Sequence, residues 1–172
     1  MTVRGLIKLY NYVLYGMAIG SGIVIVSAVF LIVLDVFMRV AGLDPLLFIL
    51  TTVEYSLLWF TMLAAPYLVR IKGHVFIDAV TQFFSPKIKK VIAKLVYLAC
   101  ITASVIYGYH LYILLSEAIQ SGEIDMRSFE IPMWILFVTM PFCFGMCAME
   151  FGRFLLGFDD MYDQSITERD SV

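Results

Sequence analysis

Four stretches of this chain carry no charged side chain: Leu9 to Leu34, Tyr55 to Val69, Leu95 to Ser116 and Ile131 to Met149, of 26, 15, 22 and 19 residues. A helix rising about 1.5 Å per residue needs about 20 mostly apolar residues to cross a hydrocarbon core about 30 Å thick. The first, third and fourth stretches reach that length unaided. The second reaches it by starting near Leu46 and taking in Glu54. Composition points the same way: 62% of the residues are hydrophobic, against roughly 45–50% in a soluble domain, and the mean hydropathy is +0.91. The reading is an all-α integral membrane protein in one membrane domain over 1–172, with four transmembrane helices at about 10–38, 46–70, 88–116 and 130–152.

Arg4 and Lys8 ahead of the first apolar stretch imitate a secretory signal. The stretch is far longer than the roughly 7–15 residues of a signal core, and no small-x-small cleavage site follows it, so it reads as a retained span. Basic residues set the orientation. With the amino terminus inside, segments 1–8, 70–94 and 150–172 hold ten Lys and Arg, and the outer segments hold Arg39 and Arg127. That asymmetry places both termini in the cytoplasm. The outer loop from Glu117 to Glu130 is acidic.

The connections carry finer signals. Gly16 and Gly20 share one face of the first span, where small residues admit a close helix neighbour. Asp35 and Arg39 stand one turn apart at its outer end and can pair. Gly42 to Pro45 forms a turn, and Pro66 and Pro141 interrupt backbone hydrogen bonding in the second and fourth spans. Gly73 ends the second span. Val75 to Ser85 then reads as a short amphipathic helix between spans two and three. Phe76, Phe83 and Phe84 lie on its apolar face and Asp78 on the other, so it lies in the inner membrane interface. Ser85-Pro86 suits the start of the third helix, and Lys87, Lys89 and Lys90 meet anionic inner-membrane lipids. The tail 158–172 is short, acidic and expected to be disordered.

Candidate chemistry is sparse. Cys100, Cys143 and Cys147 form no CxxC pair and read as packing residues. His74 lies at the inner boundary and His110 about 15 residues up the third span, roughly 22 Å toward the outside, which suits no shared haem iron. No phosphate loop, metal cluster or nucleophile–base set is present, nothing points to nucleic acid, and no cofactor is expected. The chain does not read as an enzyme. A carboxylate within an apolar span costs a few kcal/mol unless it meets protein or water. Asp35, Arg39 and Glu54 therefore read as a structural ion-pair cluster, a contact between subunits, or a proton or ion relay.

Arg39 closing the first span, Glu54 early in the second, and the Arg70, Gly73-His74-Val75, Asp78 string at its exit resemble the small membrane subunit of tripartite ATP-independent periplasmic (TRAP) transporters, the DctQ-like or Q-type proteins. The likeness extends over nearly the whole chain in length and four-span layout. Tyr55 after the acid, and Ala64 and Ala65 in mid-span, depart from the usual family pattern. The resemblance implies a scaffold subunit in a bacterial inner membrane, bracing a large M-type transport subunit that takes up an organic acid with sodium. A periplasmic binding protein would deliver the substrate. It also implies packing roles for Gly16, Gly20, Asp35 and Arg39, and anchoring by the interfacial helix. A four-helix membrane anchor for a haem- or quinone-linked redox enzyme is the alternative, and a small thiol- or lipid-modifying membrane enzyme is a third.

Overall fold

The computed structural model describes residues 3–44, 46–71, 86–127 and 130–157. The elements run α1 (Val3–Val40), α2 (Leu47–Arg70), α3 (Pro86–Ser121), β1 (Ile124–Asp125), β2 (Ile131–Pro132), α4 (Met133–Phe137) and α5 (Thr139–Leu155). Among the described residues, four spans are long and apolar enough to cross a membrane: Ile7–Val40, Phe48–Arg70, Val91–Ser121 and Met133–Leu155. The protein is an all-α membrane protein with four such helices. The expected interfacial helix at 75–85 and the tail at 158–172 lie outside the described residues.

Local chemistry explains the element ends. Gly42 adopts φ +73°, and its N–H bonds the Arg39 carbonyl while that of Leu43 reaches back to Met38. This is the glycine-dependent cap that satisfies orphan carbonyls at a helix end. α3 begins at Pro86, where a proline sacrifices no helical hydrogen bond. α2 runs unbroken through buried Pro66 to Arg70. The fourth span is interrupted at Val138, between α4 and α5. Pro141 supplies the reason: it has no N–H to offer the Phe137 carbonyl four residues earlier, and its ring crowds that group. The polar loop after α3 is more ordered than the sequence suggests, because β1 and β2 pair antiparallel with Ile124 opposite Pro132 and Asp125 opposite Ile131.

The helices pack in the order α1, α2, α5, α3, each chiefly on its neighbour. The result is a row. It closes back on itself at one end, where Leu14 and Met17 of α1 meet Met146 of α5, with Leu63 and Tyr67 of α2 alongside. Beside this, Val69, Ala93, Tyr97, Cys143, Cys147, Phe151 and Phe154 join α2, α3 and α5 into the main core. Most other apolar side chains point outward, as expected of helices solvated by acyl chains.

α3 and α5 lie close at Gly108, where an added Cβ would sit 3.4 Å from the Phe144 Cβ while Tyr107 stacks on the Phe144 ring, so a Cβ just fits and a longer side chain has no room to extend that way. Gly22 of α1 faces open space. Gly108→Leu should destabilise the detergent-solubilised protein by about 1–3 kcal/mol through overpacking, read as a lowered thermal midpoint. Gly22→Leu should leave the midpoint unchanged or raise it.

Candidate functional site

Two polar layers bracket the apolar row. The inner one is built around Glu150, whose side chain is 0% exposed. It lies near the end of α5, three residues before Arg153, whose Nη1 donates to Glu150 Oε2 at 2.7 Å. The Tyr10 hydroxyl of α1 donates to Oε1 at 2.6 Å. Arg70 ends α2 and brings its Nη1 to 3.8 Å from the same oxygen, while its Nη2 donates to Asn11 Oδ1 at 2.8 Å. Arg70 Nη1 is buried and has no hydrogen-bond partner among the described residues, so its link to Glu150 there is charge attraction without a formed bond. One carboxylate thus gathers α1, α2 and α5. Charged hydrogen bonds of this kind offset part of the cost of burying the acid.

The outer layer joins α2 to the loop after α3. Arg127 Nη1 contacts both Glu54 oxygens at 2.8 Å, and its Nε lies 3.6 Å from Asp125 Oδ2. The Tyr55 hydroxyl donates to Asp125. The β1–β2 ladder fixes the loop that delivers Asp125 and Arg127 to this point. The hydrogen bond to Glu54 holds the Arg127 guanidinium above its ordinary pKa. Glu54 and Arg70 are separated by about 24 Å of helix, close to the thickness of a hydrocarbon core.

This geometry corrects the reading of Glu54 as a buried acid grouped with Asp35 and Arg39. Its side chain is 57% exposed, and the partner it meets is Arg127. The loop folds back across α2, and sequence spacing carries no trace of that fold-back. Asp35 and Arg39 do pair, at 2.8 Å within α1. They line a cavity of about 240 Å³ with Ile32, Leu46, Ile49, Leu50 and Val53. A Cβ added at Gly20 would lie 4.0 Å from Leu63 of α2, while one added at Gly16 would meet nothing within 4 Å, so the two glycines do not serve one internal contact. Gly73, His74, Phe76, Asp78, Phe83 and Phe84 lie outside the described residues. Lys87, Lys89 and Lys90 fall in the first turns of α3, and only their backbone is described.

Sequence reasoning missed Glu150. It stands just past the last charge-free stretch, at the inner end of the expected fourth span and the start of the inner segment 150–172. The signals available were its spacing to Arg153 and the coincidence of Tyr10-Asn11, Arg70 and Glu150 at the same membrane boundary. Arg127, Asp125 and Tyr55 were missed as partners of α2 for the reason already given. Cys143 and Cys147 are free thiols inside the main core, in keeping with a packing role. Among the described residues, no group of three or more His, Cys, Asp or Glu is placed to hold a metal ion.

Both layers tie helix ends together. The family model for tripartite ATP-independent periplasmic transporters, DctQ component, matches residues 28–158. The chain belongs to the DctQ family. The match takes in the Asp35–Arg39 pair, Glu54 with Arg127, and Arg70 with Glu150 and Arg153. It begins beyond Tyr10 and Asn11, so the α1 contribution to the inner layer lies outside it. Membership makes the chain a component of a transporter. Comparison with curated proteins found no match, and comparison with solved structures found none.

Glu150→Ala should cost about 3–5 kcal/mol, because Arg70 and Arg153 lose the acid that compensates them at a buried site. Tyr10→Phe should cost about 1.5–3 kcal/mol, the scale of a hydrogen bond to a charged group. Glu54→Gln should shift stability far less, since its pair is exposed to competing water and ions. Thermal midpoints of the three variants in one mild detergent check the order.

Proposed function

We propose that this DctQ component is the small scaffold subunit of a sodium-coupled TRAP transporter in a bacterial inner membrane. Both termini are cytoplasmic, and the chain forms one membrane domain. It braces a large M-type subunit that binds and moves an organic acid delivered by a periplasmic binding protein. The observation that carries this reading is the family match, joined to an architecture in which the charged side chains link helix ends. An inner latch of Tyr10, Arg70, Glu150 and Arg153 and an outer clasp of Glu54, Arg127 and Asp125 suit a part whose task is to keep its shape. Ten inner Lys and Arg against two outer ones support the orientation. Gly16, Asp35 and Arg39 remain candidates for subunit contact. Gly73, His74 and Asp78 are further candidates for structural or subunit contact, and Phe76, Phe83, Phe84, Lys87, Lys89 and Lys90 are the candidates for anchoring in the inner lipid interface.

Reconstitution into liposomes tests the assignment. Uptake of an organic acid should require this chain, the large subunit, the binding protein and an inward sodium gradient together. Full-rate uptake by the large subunit and binding protein without this chain would overturn the scaffold role. Sodium dependence should be the same for Glu54→Gln as for the unaltered chain, because that side chain holds a loop and lies on no ion path in this reading.

A further inference from the structure

One face of α3 does not suit lipid. Ala99, Ala103, Ile106 and His110 follow one another at i, i+4, i+7 and i+11, and all four are exposed. They lie about 130° round the helix from the face on which Ala93, Tyr97 and Ser104 are buried. His110 stands about 20 Å along the helix from Tyr97 and about 16 Å short of Ser121. Tyr97 packs on Phe154 near the inner layer, and Ser121 opens the loop that carries the outer one. The imidazole therefore emerges near mid-membrane. Its ring meets Tyr109 edge-on, and neither ring nitrogen has a hydrogen-bond partner among the described residues.

An ionisable side chain at that depth is costly against hydrocarbon and normally faces protein or a wet cavity. Ala99 and Ala103 remove the bulk that would hold a second helix away. The outward face of α1 at comparable depth differs: Ile19, Ile23, Val26 and Phe30 are branched or aromatic and match acyl chains. We infer that the Ala99–Ala103–His110 face of α3 is the docking surface for a membrane-spanning helix of the large subunit, which hydrogen-bonds His110 through a carboxylate, amide or hydroxyl side chain. This rests on the proposed scaffold role and adds to it the face that is used. A second copy of this chain fits less well. A two-fold contact through the stripe sets each imidazole against its own copy, flanked by Ala103 and Ile106, and brings no carboxylate or amide to it.

A photo-reactive amino acid placed at position 103, or separately at 26, tests the surface in cells that make the whole transporter. The expected product is a cross-link from position 103 to the large subunit, identified by the mass spectra of its peptides, with none from position 26. Adducts from position 26 without any from 103 would overturn the face and leave the scaffold role standing. An adduct of twice this chain's mass from 103 would overturn the choice of occupant. No large-subunit adduct from either position would overturn the docking face, and if the two proteins also fail to co-purify the scaffold role falls with it. His110→Leu should cut recovery of the large subunit on the tagged chain about tenfold, with the yield of the chain itself unchanged. His110→Gln, which keeps a hydrogen-bonding tip, should stay within about twofold of the unaltered chain. Equal recovery for both variants would overturn the role given to the imidazole.

Discussion

A carboxylate withdrawn from water needs several partners or it is better left out of the protein. Glu150 has three: the Tyr10 hydroxyl, the Arg153 guanidinium and, at longer range, Arg70. Those groups come from α1, α2 and α5, so one desolvated charge fixes three helix ends at a single height. The apolar contacts alone are a weaker guide. Lipid tails are as apolar as leucine, so helices in a bilayer gain little from hiding such residues from each other. Packing of Leu14, Met17 and Met146 beside the latch gains definition from it, because the polar contacts allow one register.

The outer clasp does related work by another route. Glu54 and Arg127 both remain more than half exposed in the isolated chain. Their contact is reinforced by the Tyr55 hydrogen bond to Asp125 and by a loop held in a short ladder. Between the two layers the spans are joined in sequence α1, α2, α5, α3, with α3 lying close on α5 at Gly108. A row with ends tied at both boundaries has two broad faces for neighbours and little interior of its own.

Much of this was legible in the residue order. Charge-free runs announce the four spans, because length and the absence of charge are what a bilayer selects for. Gly42 and Pro86 mark helix ends through their own backbone chemistry, and Asp35–Arg39 is a one-turn pair that needs no tertiary knowledge. The long-range partners were not legible. Tyr10 and Glu150 are 140 residues apart, and Glu54 and Arg127 are 73 apart. Their meeting depends on which helices are neighbours and on a loop folding back, and hydropathy is silent on both. Glu54 drew attention because it interrupts an apolar run. The acid that is buried sits where the run had already ended.

The span of 140 residues in the Tyr10–Glu150 contact has a consequence for how the protein is made. Chains are synthesised from the amino terminus, so α1 and α2 are complete while Glu150 has yet to be added. Until then Arg70 stands at the boundary with Asn11 but without its acid. The latch therefore cannot guide insertion of the first two helices. It records that the fourth has arrived, converting a loosely associated set of inserted helices into one whose order is locked by the last of them.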